Sequence, residues 1–235
     1  MRHSSQTTDP LHRRPVAPPV ELTTDLLLRA YSAGLFPMAA SRQGNKLHWL
    51  DPERRGIMPL DRFHLPKRLA RTVLGNPFEV SVDRDFAGTI AACATPMEGR
   101  DDTWINPQIE RLFTELHHLG YAHSVECRLH GTLAGGLYGV ALGGAFFGES
   151  MFSFVTDASK VALVHLVARL RLGKFRLLDT QFVTAHLKQF GAREIPRGLY
   201  KAQLADALRT PSRWIADPGP DTVTAEIRAM ARRPV

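Results

Sequence analysis

From residue 63 onward the apolar positions of the chain fall into regular blocks, while before it they are scattered. Leu26, Leu27 and Ala30 form a helical stripe over Thr24 to Ser32, with Gly34 available as its terminator. Short apolar runs near Leu47 to Leu50 and Gly56 to Pro59 read as strands within a loop-rich section. Phe78 to Val82 reads as a strand and Phe86 to Ala94 as a helix. Asn106 and Pro107 form a cap followed by a first-turn proline. The helix they open carries Ile109, Leu112, Phe113, Leu116 and Leu119 at helical spacing and stops at Gly120. Three strands follow, roughly Ala122 to Leu129, Leu133 to Leu142 and Ala145 to Phe152, joined by the turn dipeptides His130-Gly131 and Gly143-Gly144. Asp157 is an N-cap candidate for a helix over Ala158 to Leu172 that ends at Gly173, and Phe175 to Val183 reads as the next strand.

This order predicts a mixed α+β protein. Residues 1–20, polar and proline-rich, read as a disordered arm. A small N-terminal domain over 21–62, a larger domain over 63–215 and a C-terminal tail over 216–235 complete the expected organisation. A meander, a crossover helix and a further strand resemble the acetyltransferase (GNAT, acyl-CoA N-acyltransferase-like) fold, although fold alone does not give the reaction. Coenzyme A pyrophosphate in that fold sits at a glycine-bearing turn before the crossover helix. Here the turn reads Ser153-Phe154-Val155-Thr156-Asp157, without glycine and with an acid where a phosphate would approach. That weighs against coenzyme A, and no cofactor is expected. The glycines of residues 135–144 suit close backbone packing or ligand approach instead.

The chemistry concentrates between Gly148 and Gln181. Strand alternation puts Asp179 and Gln181 on one side, with Leu178 and Thr180 on the other, and lets Glu149 share a face with Met151. An acid and an amide aimed at one spot, beside a carboxylate next to a soft apolar side chain, have the texture of a site for an amphipathic group. The competing reading is a buried Asp–Gln pair that satisfies its own hydrogen bonds, with Glu149 in a salt bridge. Other site types find no support. Cys93 and Cys127 read as buried free thiols, the histidines lack zinc-ligand spacing, and no G-x-S-x-G occurs.

At 235 residues and 44% hydrophobic composition the chain can bury a substantial core. No run approaches the roughly 18 apolar residues of a membrane span, and the N-terminus lacks the apolar stretch of a secretory signal. A cytoplasmic enzyme is the expectation. The net charge of +7 invites a polyanionic partner. Basic residues crowd one segment that includes Arg54, Arg55, Lys67 and Arg68, and recur along one helix at Arg169 and Arg171.

The motifs GESMFS, D-A-S-K, L-L-D-T-Q and G-A-R-E-I-P-R resemble the leucyl/phenylalanyl-tRNA–protein transferases. AYSAGLFPMA, HWLDPERRGIMPLDRFHLPKRL, Thr103-Trp104-Ile105 and HSVEC followed by GGLYGVALG extend the likeness in order over roughly residues 25–205. The resemblance implies an enzyme that moves leucine or phenylalanine, with methionine a further candidate, from charged tRNA to proteins with N-terminal Arg or Lys. Such tagging marks proteins for N-degron-type degradation. It makes Gln181 the orienter of the incoming amine and Asp179 the group that fixes the array. Glu149 would neutralise the acceptor's cationic side chain or hold the amino group of the aminoacyl end. Leu137, Phe146, Met151, Leu166 and Leu178 are the matching positions for an apolar aminoacyl pocket, and Trp49 and Trp104 for stacking on a nucleobase. Arg54, Arg55, Lys67, Arg68, Arg169 and Arg171 would be the tRNA footprint. Arg128 stands where the family's tryptophan is expected and receives no role. A coenzyme A-dependent N-acyltransferase and a noncatalytic RNA-binding protein are the alternatives. Neither a metal nor a membrane partner is expected.

Overall fold

A computed structural model describes residues 22–44, 46–96 and 102–232; the arm expected over 1–20 lies outside them. The chain runs α1 (Thr24–Ser32), β1 (Phe36–Ala39), β2 (Leu47–Leu50), β3 (Arg54–Met58), α2 (Lys67–Leu74), β4 (Glu79–Val82) and α3 (Phe86–Ala94). It continues α4 (Pro107–His118), β5 (Ala122–Leu129), β6 (Thr132–Leu142), β7 (Ala145–Ser153), α5 (Ala158–Leu172) and β8 (Leu177–Gln181). The last elements are α6 (Ala185–Lys188), β9 (Arg193–Pro196), α7 (Arg197–Arg209) and α8 (Pro220–Ala231).

The mixed α+β class and the GNAT-like order are both present. A seven-stranded sheet has the order β4-β5-β6-β7-β8-β3-β9, and β1 pairs with β2 in a small separate sheet. Strands β4 to β7 pair antiparallel. At the first hairpin His130 and Gly131 both have positive φ, as a type I′ turn requires. Helix α5 then crosses over and returns the chain as β8, parallel to β7. Asn106 caps α4 by accepting from the Ile109 amide, with Pro107 at the first helical position.

Apolar side chains fill both faces of the sheet. On one, α5 packs with α2 and α8 around Val125, Phe146, Leu166 and Leu178. On the other, α1, α3, α4 and α7 gather around Tyr31, Phe113, Tyr138 and Phe147. Gly139 permits its strand pairing, because a Cβ there would lie 2.3 Å from the Phe147 carbonyl oxygen.

Two expected borders fall differently. The small N-terminal domain does not close at residue 62, because β3 hydrogen-bonds between β8 and β9 in the large sheet. Tyr31 and Phe36 join the same apolar cluster as Phe147 and Leu177. The expected tail over 216–235 contains α8, whose Val223, Ile227 and Met230 are buried against the α5 side. Both cysteines are buried and neither forms a disulfide, and burial pushes Cys127 up to about 12. Among the described residues no helix is long and apolar enough to cross a membrane.

Candidate active site

The parallel pairing of β7 and β8 begins at Ala145↔Leu177 and ends at Phe147↔Asp179. The backbone pairing stops there, and Glu149, Met151 and Gln181 follow where the strands separate. Each strand is also irregular there. In β7, Ser150 faces Tyr138 and Gly148 faces Gly139, which leaves Glu149 as the extra residue. In β8, Gln181 faces Gly56 and Asp179 faces Ile57, which leaves Thr180 extra. A bulge re-aims side chains that strict alternation would fix.

A cavity of about 240 Å³ opens at this separation. Its apolar wall includes Leu137, Met151, Leu163, Leu166, Leu178, Phe182 and Leu187. Tyr138, Glu149, Thr180 and His186 also line it. Glu149 Oε2, Tyr138 Oη, Thr180 Oγ1, His186 Nε2 and the adjacent Gln181 Nε2 are buried with no hydrogen-bond partner among the described residues. Buried polar atoms left unpaired are costly unless something else satisfies them.

Glu149 is 8% exposed and accepts from the Tyr31 hydroxyl at 2.7 Å. Burial pushes its carboxyl up to about 8, against the opposing influence of Tyr31 and the neighbouring Gln181 side chain. Asp179 is fully buried and surrounded by donors. Arg55 Nε reaches its two oxygens at 2.9 and 3.1 Å, and Nη2 reaches Oδ2 at 2.7 Å. The Tyr200 hydroxyl donates at 2.6 Å and the Gln181 amide at 2.8 Å. Desolvation works against the Arg55 charge, and Asp179 overcomes it and holds the guanidinium ionised. Burial and the Asp179 charge together raise the Tyr200 hydroxyl, which stays a donor.

The structure brings Glu149, Asp179 and Gln181 together, and it places Leu137, Met151, Leu166 and Leu178 in the cavity wall. Phe146 lies deeper, between Trp214 and Phe175, and does not line the cavity. Trp49, 36% exposed on β2, and the half-buried Trp104 also lie outside its wall. Sequence alone gives no sign that Phe182, Leu187, His186 and Tyr138 complete that wall.

The basic residues divide. Arg54, Lys67 and Arg68 are exposed. Arg55, at 1% exposure, belongs to Asp179 and cannot meet a phosphate without breaking a buried ion pair. Arg169 is buried and donates to the Ala216 and His165 carbonyls. Arg171 bonds Glu226 and the Leu60 carbonyl. These three are bracing groups in the fold. Arg128 bonds Ser81 and Asp85, the latter being the residue that caps α3.

A parallel pair that separates over an apolar cavity, behind a meander and a crossover helix, gives the chain a GNAT-like fold with a candidate site at the separation. The family described as leucyl/phenylalanyl-tRNA protein transferase matches residues 57–205, and that family's N-terminal domain matches residues 20–53. A leucyl/phenylalanyl-tRNA–protein transferase of Paramagnetospirillum magneticum is 64% identical over 80% of this chain and 90% of its own length. Those of Phenylobacterium zucineum and Rhodospirillum rubrum are 60% and 52% identical, over 81% and 88% of this chain and 86% and 96% of theirs. The chain belongs to the leucyl/phenylalanyl-tRNA–protein transferase family and is an enzyme of the aminoacyltransferase class.

Proposed function

We propose that the enzyme moves leucine or phenylalanine from its tRNA to the α-amino group of cytoplasmic proteins that begin with Arg or Lys, and so marks them for degradation. The observation that carries the reading is the cavity itself. An apolar volume of about 240 Å³ suits a leucine or phenylalanine side chain, and unpaired polar atoms at its wall suit an amine and an ester carbonyl.

In this reading Glu149 holds the amino group of the aminoacyl end. A carboxyl raised to about 8 by burial is largely neutral at pH 7, and an ammonium brought beside it lowers it again and ionises it. Gln181 accepts a hydrogen bond from the attacking amine through its amide oxygen. That amine has an intrinsic pKa near ~8, so a useful fraction is neutral without a strong base. Attack on the ester carbon forms the C–N bond and breaks the C–O bond, and the amine's proton ends on the released ribose hydroxyl. Asp179 touches none of the reacting atoms.

Exposed Lys67 and Arg68 on α2 lie beside the start of α5, where Arg68 reaches Asp157 at 3.3 Å. They offer phosphate contacts on the surface of α2. The turn where coenzyme A pyrophosphate would dock has no glycine and carries the acid Asp157, which disfavours the coenzyme A alternative.

The test is transfer of labelled amino acids from tRNA to a peptide beginning with Arg. Leucine and phenylalanine are expected to transfer, with isoleucine and valine slower by a factor of about 10 or more, since shape alone discriminates by ~1–3 kcal/mol. Equal rates for leucine and isoleucine would remove the pocket assignment. Acetyl-CoA-dependent labelling in place of tRNA-dependent transfer would overturn the function.

A further inference from the structure

We propose that Arg55 and Tyr200 are positioning residues which, through the Asp179 carboxylate, set the backbone geometry of Gln181. The inference rests on the transfer reaction proposed above for its kinetic arm.

Asp179 Oδ1 accepts from Arg55 Nε and the Gln181 amide, while Oδ2 accepts from Arg55 Nε and Nη2 and the Tyr200 hydroxyl. Its lone pairs are therefore committed to the protein, and no direction is left from which to take a substrate proton. What the carboxylate governs is the chain two residues on. Gln181 has φ of +60, and the Phe182 amide donates to the Thr180 carbonyl at 2.6 Å across it. That is a γ-turn about a non-glycine residue with positive φ, a rare and strained form that persists only where its surroundings enforce it.

Three contacts enforce it here. The Gln181 amide is tied to Asp179. Asp179 is tied to an Arg55 guanidinium whose Nη1 donates to the Gly34 carbonyl at 3.0 Å, with the rings of Phe36 and Tyr200 at 4.3 and 4.6 Å. On the facing strand Gly56 leaves room for the turn, since a Cβ there would lie 2.8 Å from the Phe182 carbonyl carbon. A planar fork packed against two rings fixes the carboxylate in position and rotation, which a lysine, a single point charge on a flexible stem, cannot do.

The experiment measures leucine transfer and backbone amide exchange in wild type, Arg55→Lys, Tyr200→Phe, Gln181→Ala and the double variant Arg55→Lys/Gln181→Ala. Arg55→Lys should lower kcat by about 10- to 100-fold, the size of effect a small misplacement of a reacting group produces. Its KM for leucyl-tRNA should stay within about twofold of wild type. Tyr200→Phe, which keeps the ring on Arg55 and folds as a milder change, should show the same split with a smaller loss. When Gln181 is already alanine, Arg55→Lys should cost less than about twofold, because the two act through one group. Equal losses with and without Gln181 would show a general structural role and overturn the proposal. So would a raised KM with a flatter salt dependence, the mark of a phosphate contact. Independently of turnover, exchange of the Gln181 amide should rise by about tenfold or more in Arg55→Lys and in Tyr200→Phe relative to the core of β7. Unchanged exchange overturns the clamp; raised exchange in a protein whose wild type transfers nothing overturns the function and leaves the clamp standing.

Discussion

At the scale of single residues, the charge on Glu149 depends on what lies beside it. Burial, joined by the Asp179 charge, outweighs Tyr31, Gln181 and Arg55 and raises this carboxyl from an ordinary 4.5 to about 8. A raised carboxyl means that the folded state keeps a proton which the unfolded chain has lost. The stability it contributes is full below about 4.5 and is lost as pH rises toward about 8. His165 works in the opposite direction. Burial, with Arg169 nearby, lowers it from 6.5 to about 4, so its contribution is full above 6.5 and lost as pH falls. Between about 4.5 and 6.5 the two slopes oppose each other, which leaves pH 6.5 to 8 as the window where Glu149 acts alone of the two. Urea unfolding across that window should show wild type losing stability at up to ~1.4 kcal/mol per pH unit, and Glu149→Gln losing markedly less. Identical slopes would mean that Glu149 is already ionised in the free enzyme.

Among the elements, local signals are the legible ones. Helices α1, α3 and α5 and strands β2 and β5 have the borders read from the sequence, because a cap, an apolar stripe or a closing glycine marks each of them. Strand β9 has four residues and one buried side chain, too few to show a period. Helix α2 has Pro66 at its N-cap position and no side-chain cap, and α8 hides behind a Gly-Pro pair, so neither announces itself. The bulges at Glu149 and Thr180 carry no sequence signal, and they are what turn both strands toward the cavity. The burial of Arg55 escapes the sequence for a simpler reason. Reading β3 from Gly56 leaves both arginines in a loop, whereas in a strand from Arg54 the two side chains take opposite faces, Arg54 exposed and Arg55 buried. The exposed charge that remains on α2 is Lys67, Arg68 and Arg71. Replacing the three by glutamine should flatten the log–log dependence of leucyl-tRNA affinity on salt by about 2, since each phosphate no longer neutralised changes that slope by ~0.7–0.9. Filter binding across a salt series measures it, and an unaltered slope would make this helix face ordinary solvated surface.

For the whole molecule, the two faces of the sheet divide the labour. One helical layer holds the polar array through Tyr31 and Tyr200, and the other supplies the apolar cavity wall from α5. Helix α5 must therefore stay fixed while carrying Leu163 and Leu166 into the cavity, and α8 braces it from outside. Val223, Ile227 and Met230 of α8 are buried, and Glu226 binds Arg171 near the end of α5. The segment leading into α8 is pinned as well, where Trp214 donates to Asp83 at 3.0 Å and stacks on His123 at 4.4 Å. Removing a large buried side chain from such an interface costs about 2–4 kcal/mol, through forfeited transfer energy and the cavity left behind. Ile227→Ala should accordingly lower the urea midpoint while leaving kcat for leucine near wild type at 25 °C, since no atom of α8 lines the cavity. Cutting the chain after residue 215 strips three buried apolar side chains at once, each worth ~1.5–3 kcal/mol, and should leave little folded protein. A truncated chain that unfolds at the wild-type midpoint would show that α8 merely rests on the surface, and the bracing of α5 would then have to come from α2 alone.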